Sequence, residues 1–220
     1  AAGSPARMEG QDKPLLLLGE QPVLVHALRA LELCPYITEI VIVTREDRIV
    51  PVGQLCRDYA FSKVSKVIVG GDTRTASVLA GVREAEEGAS LIAVHDGARP
   101  LVSQSVLEQV ILRARECGAA APAVPVKDTL KQAKDGVVTA TPDRASLYAV
   151  QTPQVFSADL LKGALQSALE QHIPITDDCS AVERLGKEVL LIEGEESNLK
   201  ITTPGDLILA EAILQAREES

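Results

Sequence analysis

The chain has 220 residues, of which 46% are hydrophobic and 24% are charged, with 22 Lys and Arg against 31 Asp and Glu and a formal net charge of −9. A chain of this size and composition buries enough apolar surface to fold as one α/β domain over residues 1–220, which excludes an intrinsically disordered protein. The negative charge disfavours a nucleic-acid partner, and the longest all-aliphatic run, at 15–18, is far below the roughly 18 residues of a membrane span, so we expect neither nucleic acid nor membrane as a partner.

Short aliphatic runs alternate along the chain with segments of helical periodicity. In chain order, the runs predict strands at 39–44, 66–69, 91–95, 119–126 and 188–192. Apolar residues at helical spacing predict helices around 24–31, 78–85 and 106–114, the last one beginning after Ser103. Thr203, Pro204 and Asp206 signal the start of a final helix. This alternation predicts a three-layer, doubly wound α/β fold with a mostly parallel sheet.

A polar segment at 127–146 interrupts the alternation. Asp135-Gly136 lies between 129–131 and 137–139, which is the pattern of a β-hairpin with a two-residue turn. An isolated hairpin is marginally stable in water, so we expect this arm to pack on its own domain or on a second subunit.

The four cysteines are far apart and form no CxxC pair, which disfavours a zinc site or a redox couple. We interpret Cys34, Cys56, Cys117 and Cys179 as reduced thiols and expect a cytoplasmic protein.

The first eight residues, AAGSPARM, form a loop of small side chains followed by Lys13. Small side chains let backbone N–H groups approach an anion, which Arg7 and Lys13 would neutralise. Neither GxxxxGK[ST] nor GxGxxG fits, so a P-loop ATPase and a nicotinamide dehydrogenase are both disfavoured. The alternative is an ordinary βα turn with exposed charges.

The sequence VHDGARP at 94–100 places an acid and a base at the end of a predicted strand, where open α/β sheets bind ligands. Asp96 is a candidate ligand of Mg²⁺ together with phosphates and water. Alternatively, Asp96 caps the next helix or pairs with Arg99. We expect His95 to be a structural, hydrogen-bonded residue.

Two further segments carry weaker signals. GGDTRTAS at 70–77 joins a strand to a helix, and its carboxylate, Asp72, could accept a hydrogen bond from a cytosine amino group. A glycine turn followed by an N-cap is the alternative. Lys200 is expected in a short strand before the last helix, where a lysine by itself is typical of a solvated edge.

Taken together and in this order, eight segments resemble the 2-C-methyl-D-erythritol 4-phosphate cytidylyltransferase family. They are AAGSPARM at 1–8 with Lys13, GGDTRTASVLAG at 70–81, VHDGARP at 94–100, PVKDTLK at 125–131, TPDR at 141–144, QTPQVF at 151–156, ITDDCSAVE at 175–183 and SNLKITTPGDL at 197–207. The resemblance implies a Rossmann-like nucleotidyltransferase fold and transfer of CMP from CTP to 2-C-methyl-D-erythritol 4-phosphate, with release of pyrophosphate. It also implies Mg²⁺ as cofactor.

The resemblance implies a role for each matching residue. The residues expected to bind CTP are Ala1, Ala2 and Gly3 at the triphosphate, Arg7 and Lys13 at phosphates, Gly71, Asp72 and Ser77 at the cytosine, and Lys200 at the α-phosphate. Asp96 is expected to position Mg²⁺. The residues expected around the polyol phosphate are Arg99, Thr129, Arg144, Thr152 and Thr176. Some of these come from the partner subunit's arm in the family, which implies a homodimer.

Two alternatives stay open at the level of sequence. Ribitol 5-phosphate cytidylyltransferases share most of these signatures, so a different polyol phosphate, or another nucleotide and sugar phosphate, is compatible with them. A nucleotide-binding module without turnover would also use one Asp and a few cations to bind CTP.

Overall fold

The computed structural model describes residues 13–219, without the side chain of Lys13. Its strands are β1 (Leu17–Leu18), β2 (Gln21–Pro22), β3 (Ile40–Thr44), β4 (Val64–Val69), β5 (Leu91–Val94), β6 (Ala119–Pro125), β7 (Gln132–Lys134), β8 (Val137–Ala140), β9 (Tyr148–Val150), β10 (Gln154–Ser157) and β11 (Leu190–Glu193). Its helices are α1 (Val23–Leu33), α2 (Ile49–Asp58), α3 (Arg74–Glu84), α4 (Gln104–Cys117), α5 (Ala158–Glu170), α6 (Asp178–Glu183) and α7 (Pro204–Glu218). Short 3₁₀ turns occupy Lys13–Leu15, Glu46–Arg48 and Arg144–Ser146.

Local capping chemistry confirms the predicted helix starts. The Ser103 hydroxyl accepts the backbone N–H of Val106 at the start of α4. Thr203 and Asp206 form a capping box at the start of α7, with Pro204 as the first helical residue. Polar side chains at these positions satisfy N–H groups that have no partner inside the helix, which is why they mark the boundaries in the sequence.

The central sheet has the strand order β11-β6-β10-β5, with β9 paired to the other end of β6. β11 and β6 are parallel, whereas β10 runs antiparallel to both β6 and β5. β3 and β4 form a separate parallel pair. The five strands predicted from aliphatic runs are confirmed with shifts of one or two residues at their ends. The four-residue β10 was not predicted, and its insertion makes the sheet mixed.

Residues that alternate along β6 and β10 pack on opposite faces of the sheet. Ala119, Ala121 and Phe156 are buried with residues of α3, α5 and α6. Ala120 and Val155 are buried with residues of α4. Since helices cover both faces, the predicted three-layer α/β arrangement is confirmed.

Two local predictions are wrong. The first strand of the hairpin is Gln132–Lys134 and not 129–131, because Asp135 and Gly136 both have positive φ, 52° and 80°, and form a two-residue turn that pairs Lys134 with Val137. The short strand expected around Lys200 is absent: residues 199–202 have no regular structure, and the Ile201 N–H donates to the carbonyl of Ala98 at 2.8 Å.

None of the helices within residues 13–219 is both long enough and apolar enough to cross a bilayer. All four cysteines lie in this range and are free thiols.

Candidate active site

Asp96 lies just beyond the end of β5, at the carboxyl edge of the central sheet. Its Oδ2 atom is 2.7 Å from the Nζ of Lys200 and 3.8 Å from the Nε of Arg99. The structure therefore brings together three residues that the sequence singled out in two distant segments. The proposed role of Asp96 as a helix cap is wrong, because Ser103 caps α4. The proposed pairing with Arg99 is present but looser than the pairing with Lys200.

The electrostatics of this pair keep Asp96 ionised. Burial alone would raise the pKa of Asp96, but the charge and hydrogen bond of Lys200, with smaller contributions from His95 and Arg74, bring it below its ordinary value of 3.8. The side chain of Asp96 is 21% exposed and that of Lys200 is 45% exposed, so both groups remain accessible from solvent. A protein of net negative charge thus gathers cations around one carboxylate at this edge.

His95 and Thr152 hold the loop that carries Asp96 through hydrogen bonds. The Nε2 of His95 lies 3.1 Å from the carbonyl of Arg99, and its Nδ1 lies 3.1 Å from the hydroxyl of Thr152, which also accepts the backbone N–H of Asp96 at 3.0 Å. Burial lowers the pKa of His95 to about 4, so the ring is neutral at neutral pH. The prediction of a structural, hydrogen-bonded His95 is confirmed. Thr152 is 4% exposed, and its hydroxyl holds His95 and the backbone of Asp96 in place.

Asn198 ties the two segments together, and the sequence analysis did not single it out. Its Nδ2 donates to the Thr152 carbonyl at 3.0 Å, and its backbone carbonyl accepts a hydrogen bond from the Nη1 of Arg99 at 2.6 Å. Asn198 is fully buried. A buried side-chain amide is nearly always hydrogen-bonded and so marks a structural contact, but its burial is not evident from the sequence. We refer to His95, Asp96, Arg99, Thr152, Asn198 and Lys200 as the strand-end cluster.

The segment expected at the cytosine is a tight turn at the start of α3. The Thr73 hydroxyl caps the helix by accepting the N–H of Ala76, and the Ser77 hydroxyl donates back to the Thr73 carbonyl at 2.9 Å. A Cβ at Gly71 would lie 2.6 Å from the Cβ of Ala76, so only glycine fits this turn. The alternative of a glycine turn with an N-cap is confirmed. Asp72 stays exposed beside the turn and is free of the capping role.

Arg74 connects this turn to the segment that follows Thr176, a connection that the sequence analysis missed. Its Nη1 and Nη2 donate to the two carboxylate oxygens of Asp178 at 3.0 and 2.6 Å. Burial alone would lower the pKa of Arg74, but the hydrogen bonds and charge of Asp178, followed by the charges of Asp96 and Asp177, raise it above its ordinary value.

Within residues 13–219, the remaining residues expected around the polyol phosphate make their hydrogen bonds to groups outside the strand-end cluster. Thr129 is exposed near the base of the arm, and the Nη1 of Arg144 donates to the Lys127 carbonyl at 2.6 Å. The backbone N–H of Thr176 lies 3.3 Å from the hydroxyl of Ser180. Neither bond reaches Asp96.

Part of the expected nucleotide site belongs to the N-terminal segment. Ala1, Ala2, Gly3 and Arg7 lie outside the described residues, as does the side chain of Lys13. Their roles stay predictions.

Comparison with known proteins agrees with this geometry. The sequence profile of the family IspD, 2-C-methyl-D-erythritol 4-phosphate cytidylyltransferase, matches residues 1–216. This chain belongs to that family. The enzyme of that name from Desulforamulus reducens is 44% identical over 99% of this chain and 94% of its own length. Its namesake from Halalkalibacterium halodurans is 41% identical over 99% of this chain and 96% of its own length.

Solved structures lead to the same family. The 4-diphosphocytidyl-2C-methyl-D-erythritol synthase of Anaerococcus prevotii superposes with a TM-score of 0.87 at 32% identity, over 98% of this chain and 93% of that chain. The 2-C-methyl-D-erythritol 4-phosphate cytidylyltransferase of Thermus thermophilus superposes with a TM-score of 0.80 at 34% identity, over 92% of this chain and 94% of that chain. The resemblance inferred from the eight segments is confirmed, and with it the nucleotidyltransferase fold and the assignment to an enzyme family.

Proposed function

We propose that this cytidylyltransferase transfers CMP from CTP to the phosphate of 2-C-methyl-D-erythritol 4-phosphate and releases pyrophosphate, a step that supplies isoprenoid precursors. Membership in the family supports the reaction. The observation that carries the assignment of the site is the 2.7 Å contact between Lys200 and Asp96, which joins two of the family's segments at the carboxyl edge of the sheet.

The chemistry explains why cations, and not a nucleophilic triad, mark this site. The attacking phosphate oxygen is already an anion at neutral pH, so the barrier comes from repulsion between the two substrates and from charge growth at the α-phosphorus. Lys200, anchored by Asp96, would stabilise that charge. Arg7 and Lys13 would hold the phosphates of CTP, while Gly71, Asp72 and Ser77 would shape the cytosine site.

The residues at this edge fit a magnesium ion bound mainly through substrate. Asp96 is ionised, accessible and makes both of its ion pairs through Oδ2. Mg²⁺ is usually bound in proteins by one or two carboxylates plus substrate phosphates and water, so a single ionised carboxylate at this edge is a suitable ligand. When bound, Mg²⁺ would neutralise triphosphate charge and orient the nucleotide. Asp96 would hold it.

We also propose a homodimer in which the arm at 127–146 completes the partner's site. The arm exposes Leu130, Val137 and Val138 at 43%, 68% and 55%, which is apolar surface that a second subunit would cover. Thr129 and Arg144 would then reach the polyol phosphate of the neighbouring site, and Arg99, Thr152 and Thr176 would belong to the same site as Lys200.

The free thiols support a cytoplasmic location.

Pyrophosphate release from CTP and Mg²⁺, measured with a panel of polyol phosphates, tests the proposal. We expect turnover with 2-C-methyl-D-erythritol 4-phosphate to exceed turnover with ribitol 5-phosphate by at least about 10², since the site must discriminate hydroxyl groups. Preference for ribitol 5-phosphate would move the chain to the related reaction. If calorimetry shows that CTP binds but no pyrophosphate is released, the protein is a nucleotide-binding module and the proposed enzymatic reaction is contradicted.

A further inference from the structure

Arg74 and Asp178 form a bidentate ion pair between two segments 104 residues apart in the chain. Arg74 is the first residue of α3 and Asp178 is the first residue of α6. The side chain of Asp178 is fully buried, whereas that of Arg74 is 40% exposed. Apart from the charge of Arg74, which helps to lower the pKa of Asp96, the chemistry described above does not use this pair.

Burial of one carboxylate makes stabilisation of the fold a poor explanation for the pair. Removing Asp178 from water is costly, and well-packed apolar residues often stabilise a core as well as a buried ion pair does. A guanidinium fork on a carboxylate does set distance and orientation in two directions, which a single hydrogen bond or an apolar contact does not. The geometry therefore points to placement of the two segments as the role of the pair.

Each end of the pair lies next to residues of one substrate site. Arg74 directly follows the turn that contains Gly71 and Asp72, which are expected at the cytosine. Asp178 lies two residues after Thr176, which is expected at the polyol phosphate. Any shift between α3 and α6 would move one substrate site relative to the other.

Gln154 anchors the α6 end to the central sheet. Its Oε1 accepts the backbone N–H groups of Asp178 and Cys179, both at 3.1 Å, and its Nε2 donates to Asp177 at 2.8 Å. Gln154 belongs to β10, which pairs with β5. Gln154 itself lies opposite Val94, two residues before Asp96. The ion pair therefore links the cytosine turn to α6, and Gln154 links α6 to the central sheet beside the strand-end cluster.

We propose that Arg74 and Asp178 are positioning residues that hold the cytosine turn at a fixed distance from the polyol phosphate segment, so that the two substrates meet in line. This inference rests on the proposed function. In-line attack depends on the alignment of the reacting atoms, and small displacements lower the rate even where no catalytic group is lost.

The test is a cross-effect in steady-state kinetics. Arg74→Lys keeps the charge and loses the fork, and Asp178→Asn keeps the shape and loses the charge. We expect each variant to raise the KM for both CTP and 2-C-methyl-D-erythritol 4-phosphate by about 3- to 10-fold and to lower kcat by about tenfold, as expected for misaligned substrates. The distinctive result is that Asp178→Asn weakens CTP although it lies outside the cytosine turn, and that Arg74→Lys weakens the polyol phosphate.

Stability is measured on the same samples by thermal unfolding, and all assays are run well below the lower Tm. Arg113→Gln is the matched control, because it breaks an exposed pair with Glu116 on α4 and should leave every parameter unchanged. If Asp178→Asn does not fold, Arg74→Lys alone still gives the cross-effect on the polyol phosphate.

Three outcomes overturn the inference: a lower Tm with normal kinetics, a change in the KM of CTP alone, or a change in the KM of the polyol phosphate alone. Failure of the proposed function is a separate result, since the unsubstituted protein would then release no pyrophosphate.

Discussion

The strand-end cluster and the arm at 127–146 are stabilised in opposite ways. In the cluster, Thr152 and Asn198 are 4% and 0% exposed. The Thr152 hydroxyl accepts the backbone N–H of Asp96, and the Thr152 carbonyl accepts the side-chain amide of Asn198, two residues before Lys200. In the arm, every residue of β7 and β8 is exposed. The cluster is complete within one chain, whereas the arm presents apolar side chains with no cover from its own domain.

The strand-end cluster forms within a single chain, whereas we propose that the arm acts in a dimer of two chains. Hydrogen bonds to the buried residues Thr152 and Asn198 fix the backbone of Asp96 and the guanidinium of Arg99, because a displaced polar group in a buried site loses its partner. An exposed two-stranded hairpin has no such constraint. The predictions below test the contrast in order of decreasing effect.

Loss of the central cation should have the largest effect. We expect Lys200→Ala to lower kcat by about 10² to 10³, which is about 2.7 to 4 kcal/mol of barrier, because the charge at the α-phosphorus would lose a cation that we propose stabilises it. Pyrophosphate release under saturating substrates measures this. Lys162→Ala, an exposed lysine on α5, is the control and should keep full turnover. Near-normal turnover of Lys200→Ala would remove Lys200 from the mechanism.

Subunit mixing tests whether the arm acts across a dimer. Arg144→Ala and Lys200→Ala chains should each be inactive alone, and an exchanged equimolar mixture should recover about a quarter of the normal activity, because half of the dimers would contain one intact site of two. Activity of the mixture after subunit exchange is the readout. No recovery despite demonstrated exchange, or a fully active monomer by light scattering, would show that each arm serves its own chain.

Stability should respond to changes in the body of the domain and not to changes in the arm. Arg74→Gln leaves the buried Asp178 carboxylate without its partner, and we expect a loss of about 3 kcal/mol in the free energy of unfolding. Val138→Ser in the exposed arm should change it by less than about 0.5 kcal/mol when measured on the separated monomer. Chemical denaturation of both variants checks this, and equal losses would contradict the contrast.

The smallest effect concerns pH and the start of α7, beside Lys200. Burial alone would raise the pKa of Asp206, but hydrogen bonds from Thr202 and Thr203 bring it below its ordinary value of 3.8. A lowered pKa in the folded state means that Asp206 stabilises the fold at neutral pH and that this contribution is lost as the pH falls through the folded-state pKa.

Asp206→Asn should therefore cost about 1 kcal/mol at pH 7, as for a lost helix cap, and the difference from the unsubstituted protein should shrink below pH 3.8. Urea denaturation at a series of pH values measures the difference. A loss that does not vary with pH would show that the charge of Asp206 has no role.

Local chemistry made much of this molecule predictable from its sequence. The N-caps Ser103 and Thr203, the turn at Asp135-Gly136 and the aliphatic strands all act through neighbours a few residues away, so their patterns are legible in one dimension. The order of eight short segments also identified the family and the residues Asp96, Arg99 and Lys200 before any contact was known.

Only the tertiary structure decided which of those residues meet. The 2.7 Å contact of Lys200 with Asp96, the burial of Asn198 and the fork from Arg74 to Asp178 each join segments far apart in the chain. Polar residues of these types lie mostly on the solvated surface of proteins, and no local sequence feature marks the few that are buried. Their roles follow from burial and from partners, which exist only once the sheet and its helices have packed.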